Sequence, residues 1–187
     1  MRNMKKGAWL AGVTLAVALA AGCGGKTSDG GNDGKDTVEA AAKPFSEPGM
    51  KMEYTARLGG KDYSVTVKRA ADPSQPVVED ELGREYYDNR VTVTILRDGK
   101  PFSETTYTKD SFRDFLTAAD SKGTVLLGMA FDADGSDGHA IRLTAQVGQP
   151  GIEEGPGFIV EMPLSGGPAS ILRDKRQDTA KEDLIGD

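Results

Sequence analysis

The sequence is poor in the residues on which most enzyme and metal chemistry depends. Cysteine occurs once, at Cys23, histidine once, at His139, and tryptophan once, at Trp9. A single cysteine excludes an intrachain disulfide and a Cys-rich zinc site, and a lone histidine leaves most His-dependent catalysis without a partner. Basic residues are the minority, 23 Lys and Arg against 29 Asp and Glu for a formal charge of −6. A chain of that sign repels the phosphate backbone, so no nucleic-acid partner is expected. Long apolar runs are also missing, with one exception at the start of the chain.

That exception is Ala8 to Ala21, preceded by Arg2, Lys5 and Lys6 and ending in small residues. It is the three-part layout of a secretory signal. Fourteen residues at ~1.5 Å each reach only about 21 Å, short of a hydrocarbon core of ~30 Å, so the segment is expected to be removed rather than to span. Taking residues 1–22 as the leader leaves 165 residues, one domain's worth. The leader holds three of the basic residues and no acidic one, so the remaining chain carries −9.

The stretch Leu19-Ala20-Ala21-Gly22-Cys23 resembles the lipobox of bacterial lipoproteins. It departs from that pattern at Ala20, where the large aliphatic residue usually stands, with Leu19 one step further out. The resemblance implies cleavage before Cys23 and attachment of palmitate-like chains there, through the most nucleophilic side chain available. Each buried methylene contributes ~0.8 kcal/mol, and several chains together anchor stably where one does not. Gly24, rather than Asp, follows the cysteine. By the sorting rule of enteric-type bacteria this implies the outer membrane. The expected membrane contact is therefore the N-terminal lipid on Cys23.

Residues 23–49 form the expected lipidated cysteine and tether. From Gly24 to Pro48 the chain is mostly Gly, Ser, Asp, Lys and Ala, too little apolar surface to offset the entropy of ordering. A coil of this length reaches about 25–30 Å. Residues 50–173 are the expected β domain. Met52, Tyr54, Ala56 and Leu58 alternate with polar residues, Gly59-Gly60 intervenes, and Tyr63, Val65 and Val67 resume the alternation, which predicts a hairpin. Val91, Val93 and Ile95 predict a second with Phe102 to Tyr107, joined by Asp98-Gly99, a pair suited to a type I′ turn.

Between Thr108 and Asp120 the period changes. Phe112, Phe115, Leu116 and Ala119 share one helical face, with Thr108 or Asp110 as the cap. Strand signals return at Thr124 to Phe131, Ile141 to Val147, Phe158 to Met162 and Ala169 to Leu172. The fold class is mainly β: an antiparallel meander of about eight strands and one short helix, closed as a small barrel or folded as a sandwich. The barrel is the favoured closure, with the helix plugging an end or covering an edge. Residues 174–187 are polar and read as a frayed tail.

Three places invite a chemical reading. Asp132, Asp134 and Asp137, with Ser136, offer the hard oxygen ligands that calcium prefers, but Asp137 stands where an EF-hand loop requires Gly, and Leu143 where it requires Glu. A plain turn is the preferred reading and a calcium site the alternative. His139 shares the parity of Ile141 and Leu143 and is expected to lean inward at a strand end. The loop from Ala70 to Arg90 is long for a connection and carries Glu79-Asp80-Glu81, Tyr86-Tyr87 and Asp88-Asn89. Its carboxylates form a solvated turn, a binding surface or, least of all, a glycosidase-like pair.

The segment Pro76-Val77-Val78-Glu79-Asp80-Glu81-Leu82-Gly83, with Tyr87-Asp88-Asn89, Tyr107-Thr108-Lys109 and Phe112, is similar to domain of unknown function 4738, a family of uncharacterised bacterial lipoproteins. The similarity runs from Tyr54 to Asp178. It implies a lipoprotein of predominantly β character and carries over no activity, cofactor or catalytic residue. The function expected is a non-catalytic, lipid-anchored envelope protein, without cofactor, whose β domain contacts an envelope protein or a small ligand. The alternatives are an Asp/Glu-dependent hydrolase using Asp80 and Glu81, and a barrel carrier holding a lipophilic molecule among Tyr54, Val65, Val93, Leu127 and Ile141.

Overall fold

The computed structural model describes residues 42–152 and 154–175. The expected leader, Cys23, the first part of the tether and residues 176–187 of the tail lie outside the described residues. The alternating segments form strands. β1 (Met50–Leu58), β2 (Lys61–Ala71), β5 (Asn89–Arg97) and β6 (Lys100–Thr108) make one antiparallel sheet in the order β1-β2-β5-β6. β7 (Val125–Asp132), β8 (Ala140–Gly148), β9 (Gly157–Pro163) and β10 (Ser170–Arg173) make a second in the order β10-β9-β8-β7. Both tight turns have positive φ at their two central residues, Gly59 and Gly60 in the first and Asp98 and Gly99 in the second. That backbone twist matches the strands it joins.

Period two decides which side chains go inside. Val65, Val67, Val91, Val93 and Ile95 of the first sheet face Ile141, Leu143, Val147 and Val160 of the second, all fully buried. Each such side chain contributes about 1.5–3 kcal/mol of transfer free energy. Their polar neighbours form the outer faces, where Thr92 lies against Thr106 and Thr94 donates to Glu104.

Several expectations need correction. The eight anticipated strands are present, and two short ones, β3 (Val78–Glu79) and β4 (Glu85–Tyr86), add a third, two-stranded sheet inside the long loop. The favoured barrel does not form. Among the described residues no ladder joins the two large sheets, and the fold is a sandwich. The physical reason lies in how the edges are satisfied. Between β6 and β10, both edge strands, the segment after β6 packs with Phe112 against Tyr107 and Phe158, ring centroids 6.3 and 4.9 Å away, and Arg173 Nη1 donates to the Phe115 carbonyl at 3.2 Å. At the start of β7, side chains take the place of a neighbouring strand. Asp88 accepts from the Leu126 N–H, Asn89 donates to the Leu126 carbonyl, and Arg69 donates to the Leu127 carbonyl.

The single helix over 108–120 is also two pieces, a 3₁₀ segment, Lys109–Phe115, and α1, Ala118–Ser121. Two caps compete for the run. The Thr108 N–H donates to the Ser111 hydroxyl, while Thr117 and Asp120 exchange bonds at 3.0 and 3.1 Å, restarting the helix after an extended Leu116. The apolar spacing still aims Phe112 into the core, where it is fully buried. The carrier's expected lining is divided as well. Val65, Val93 and Ile141 are packed core, while Leu127 lines an open 540 Å³ cavity with Met50 and Met52.

Two residues ahead of β1, Phe45 and Glu47, are bonded to the rest of the described fold. The Phe45 N–H donates to the Glu85 carbonyl at 2.8 Å, and the Tyr87 N–H donates to the Phe45 carbonyl at 2.9 Å. The Glu47 carboxylate accepts from Asn89 Nδ2 and from the Gly151 N–H and lies 3.4 Å from Arg69.

Candidate functional site

The loop between β2 and β5 is closed at its base and built outward from side-chain acceptors. The Asp72 N–H donates to the Asp88 carbonyl at 2.8 Å, which brings the two ends of the loop together. Asp72 Oδ1 then accepts from the Ser74 hydroxyl and N–H, shaping the first bend. These bonds, with Arg90 adding to them against the cost of burial, hold the Asp72 carboxyl below its ordinary range.

The outer part of the loop is the β3–β4 hairpin, and Asp80 organises its turn. One carboxylate oxygen accepts from the N–H groups of Leu82 and Arg84, and the other accepts from Arg84 Nε at 2.7 Å. Burial raises the Asp80 pKa, but the Arg84 and Leu82 bonds and the guanidinium charge outweigh it, so the group sits below its usual range. A carboxylate held in this way is a turn residue rather than a proton donor. Glu81, its neighbour, accepts from Gln149 Nε2 at 3.1 Å, tying the hairpin tip to the β8–β9 loop.

Opposite this hairpin stands the segment that follows β6. Between the two walls lies a cleft of 1190 Å³, with Pro76, Val77 and Val78 on one side and Arg113, Leu116 and Ala119 on the other. Asp88 and Lys109 line it as well. Lys109 Nζ donates to the Thr124 carbonyl at 2.5 Å and the Ser121 carbonyl at 3.4 Å, and it lies 3.8 Å from Asp88 Oδ2. Asp88 is buried, and burial pushes its carboxyl above the ordinary range despite bonds from the Leu126 and Asn89 N–H groups and the charge of Lys109.

One end of the cleft is narrowed by Gly123. Its φ is +66°, and a Cβ there would come within 3.2 Å of the Glu79 carbonyl oxygen. Glycine lets the backbone approach β3 closely without strain.

The residues singled out in the sequence are scattered relative to this cleft. Asp132 Oδ1 accepts from the Gly135 N–H, and Asp137 Oδ1 accepts from the N–H groups of His139 and Ala140. The last two bonds keep the Asp137 carboxyl below its usual range. Asp134 is exposed beside them. This is the geometry of a hydrogen-bonded turn, and among the described residues no group of three or more His, Cys, Asp or Glu is placed to hold a metal ion. His139 was expected to lean inward but is exposed, because the strand begins only at Ala140. Cys23 lies outside the described residues. Of the loop carboxylates, Glu79, Asp80, Glu81 and Asp88 do line one cleft.

Sequence reasoning missed Lys109, Gly123 and the whole far wall. The available signal was the apolar triplet Pro76-Val77-Val78 inside an otherwise polar loop. What it faces across the cleft is contributed by the later segment that follows β6.

No curated protein sequence matches the chain. The family model described as Domain of unknown function (DUF4738) matches residues 33–161. The match begins before the span Tyr54 to Asp178 on which the resemblance was drawn, and it ends within β9. It thus takes in Phe45, both walls of the cleft, β7, β8 and most of β9. With well over half of its length matched, the chain belongs to the DUF4738 family.

Proposed function

We propose that the protein is a lipid-anchored cell-envelope protein, held through Cys23 at the outer membrane, whose β-sandwich is a non-catalytic binding module. In this reading the cleft between the β3–β4 hairpin and residues 109–123 is the surface that meets a partner protein or a small ligand. One observation carries the non-catalytic part: most of the carboxylates at the cleft are already engaged. Asp80 is committed to Arg84, and Asp88 to two backbone N–H groups and Lys109. A general acid or base needs a carboxyl free to exchange its proton with substrate. The anchor is supported by the apolar run Ala8 to Ala21, which ends two positions before the chain's one cysteine, Cys23.

The anchor is tested by growing cells that express the native chain or Cys23→Ala with radiolabelled palmitate, then separating the membranes. Label is expected on the native chain alone, with that chain in the outer-membrane fraction and the variant soluble. An unlabelled native chain refutes the anchor. The non-catalytic reading is tested separately by screening glycan and ester substrates with the native protein, Asp80→Ala and Glu81→Ala. Turnover lost in either variant would replace the binding module with a hydrolase.

A further inference from the structure

The backbone of the hairpin defines what kind of ligand the cleft suits. The Asp80 N–H donates to the Arg84 carbonyl, and Val78 stands opposite Tyr86 in the register. In an antiparallel pair the residues that bond to the partner strand alternate with residues whose N–H and C=O point the other way. Asp80 and Val78 therefore face β4, and the main-chain groups of Val77 and Glu79 face away from it. The far side of β4 is already filled, by Phe45. The order is thus Phe45 segment, β4, β3, then the cleft, and β3 presents an open sheet edge to it.

Gly123 lies against the Glu79 carbonyl and stops that edge at one end. Val77, 45% exposed, leaves the other end accessible. The charges that line the cleft are unevenly paired. Asp80 is neutralised by Arg84, Asp88 by Lys109 and Asp110 by Arg113. Among the described residues Glu79 and Glu81 have no ion-pair partner, whereas two of the three cations that line the cleft, Lys109 and Arg113, are already paired. The whole chain carries −6, so the surrounding field favours a cation as well.

We infer that the cleft binds an extended, cationic peptide segment by strand addition to β3, the ligand's backbone pairing with Val77 and its basic side chains meeting Glu79 and Glu81. Main-chain bonds supply the affinity in this mode, and side-chain contacts select the sequence. Pro76-Val77-Val78 and Leu116 give the alternate side chains of the ligand an apolar wall. This inference rests on the reading of the cleft as a binding surface and is independent of the lipid on Cys23.

The test uses the full chain in detergent micelles and three fluorescent peptides, an alternating Lys-Val hexamer, its Glu-Val counterpart and a Lys-Pro hexamer of equal charge whose prolines cannot donate. The Lys-Val peptide is expected to bind saturably, and each of the others about tenfold more weakly, since one loses the charge match and the other the backbone bonds. The double variant Glu79→Gln, Glu81→Gln is expected to weaken the Lys-Val peptide about fivefold and to flatten its salt dependence. Absence of saturable Lys-Val binding overturns the inference. So does equal binding of Lys-Pro, which would reduce the interaction to bulk charge and needs no variant to interpret. Either failure leaves the palmitate result untouched.

Discussion

The first sheet and the cleft are adjacent in space and are specified in different ways. β1, β2 and β5 follow a two-residue alternation that is apolar at every second side chain over most of their length, and both joining turns are local. The cleft has no such period. Its walls come from residues 75–81 and 109–123; Asp80 holds its own turn, while the Asp72–Asp88 main-chain bond and the bonds of Asp88 to the Leu126 N–H and of Lys109 to the Thr124 carbonyl join parts that the sequence does not place nearby. A repeating hydrophobic pattern fixes a strand's face redundantly, so single errors are absorbed. A polar stitch is made once, and losing it leaves a buried donor unpaired.

The contrast can be broken first at the core that both regions share. Phe158 is fully buried and touches Phe112 and Phe115, so Phe158→Ala removes the aromatic contact between the second sheet and the 3₁₀ segment. A loss of about 3–5 kcal/mol is expected in urea unfolding. A loss under 1 kcal/mol would mean that this end of the sandwich is loosely packed.

The polar stitch is tested by Asp88→Ala, which strands the N–H groups of Leu126 and Asn89. The expected cost is about 2–3 kcal/mol. Asp88→Asn, which keeps an acceptor, should recover more than half of it, and hydrogen exchange should quicken at Leu126 in the alanine variant before it does at Val93.

Smaller effects follow at the helix start and the surface. Thr117→Ala breaks the reciprocal cap with Asp120 and should cost about 1 kcal/mol by thermal melting. Lys51→Ala, at the exposed pair with Glu53, should change stability by less than about 0.5 kcal/mol.

Acid separates the two kinds of carboxylate. Asp72, Asp80, Asp98, Asp120 and Asp137 all sit below their ordinary range in the folded chain. Their contribution is present above the unfolded pKa near 4 and is lost as pH falls through the lower folded values. Asp88 is shifted upward, so its contribution is present at low pH and is lost as pH rises through its folded value. The urea midpoint should therefore fall below about pH 4, and fall more steeply in Asp88→Asn, where the opposing group is gone. Equal slopes would show that Asp88 titrates as an ordinary carboxyl.

The elements were readable where neighbours in sequence are also neighbours in structure. Tyr63, Val65 and Val67 announce an inward face, and Asp98-Gly99 announces its turn, because a strand's orientation and a two-residue turn are set within a few bonds. The break between the 3₁₀ segment and α1 is not legible for the opposite reason. Phe112 and Leu116 give the right spacing, but Thr117 can cap a new turn only once Asp120 has returned to it. The β3–β4 pair escaped notice because its two-residue strands are too short to show a period, and Asp80 stabilises them through side-chain bonds.

The sequence by itself determined the eight strands of the two large sheets, their inner faces, the two tight turns and a loop with more carboxylates than its length explains. Only the tertiary structure decided that eight strands split into two sheets, that Phe45 belongs to the domain, and that the loop and the segment after β6 face each other across a cleft. Periodicity reports which face of an element leaves water. The partner that covers that face is set by long-range packing and by single polar bonds such as those of Asp88 and Arg69, which leave no repeating trace in the chain.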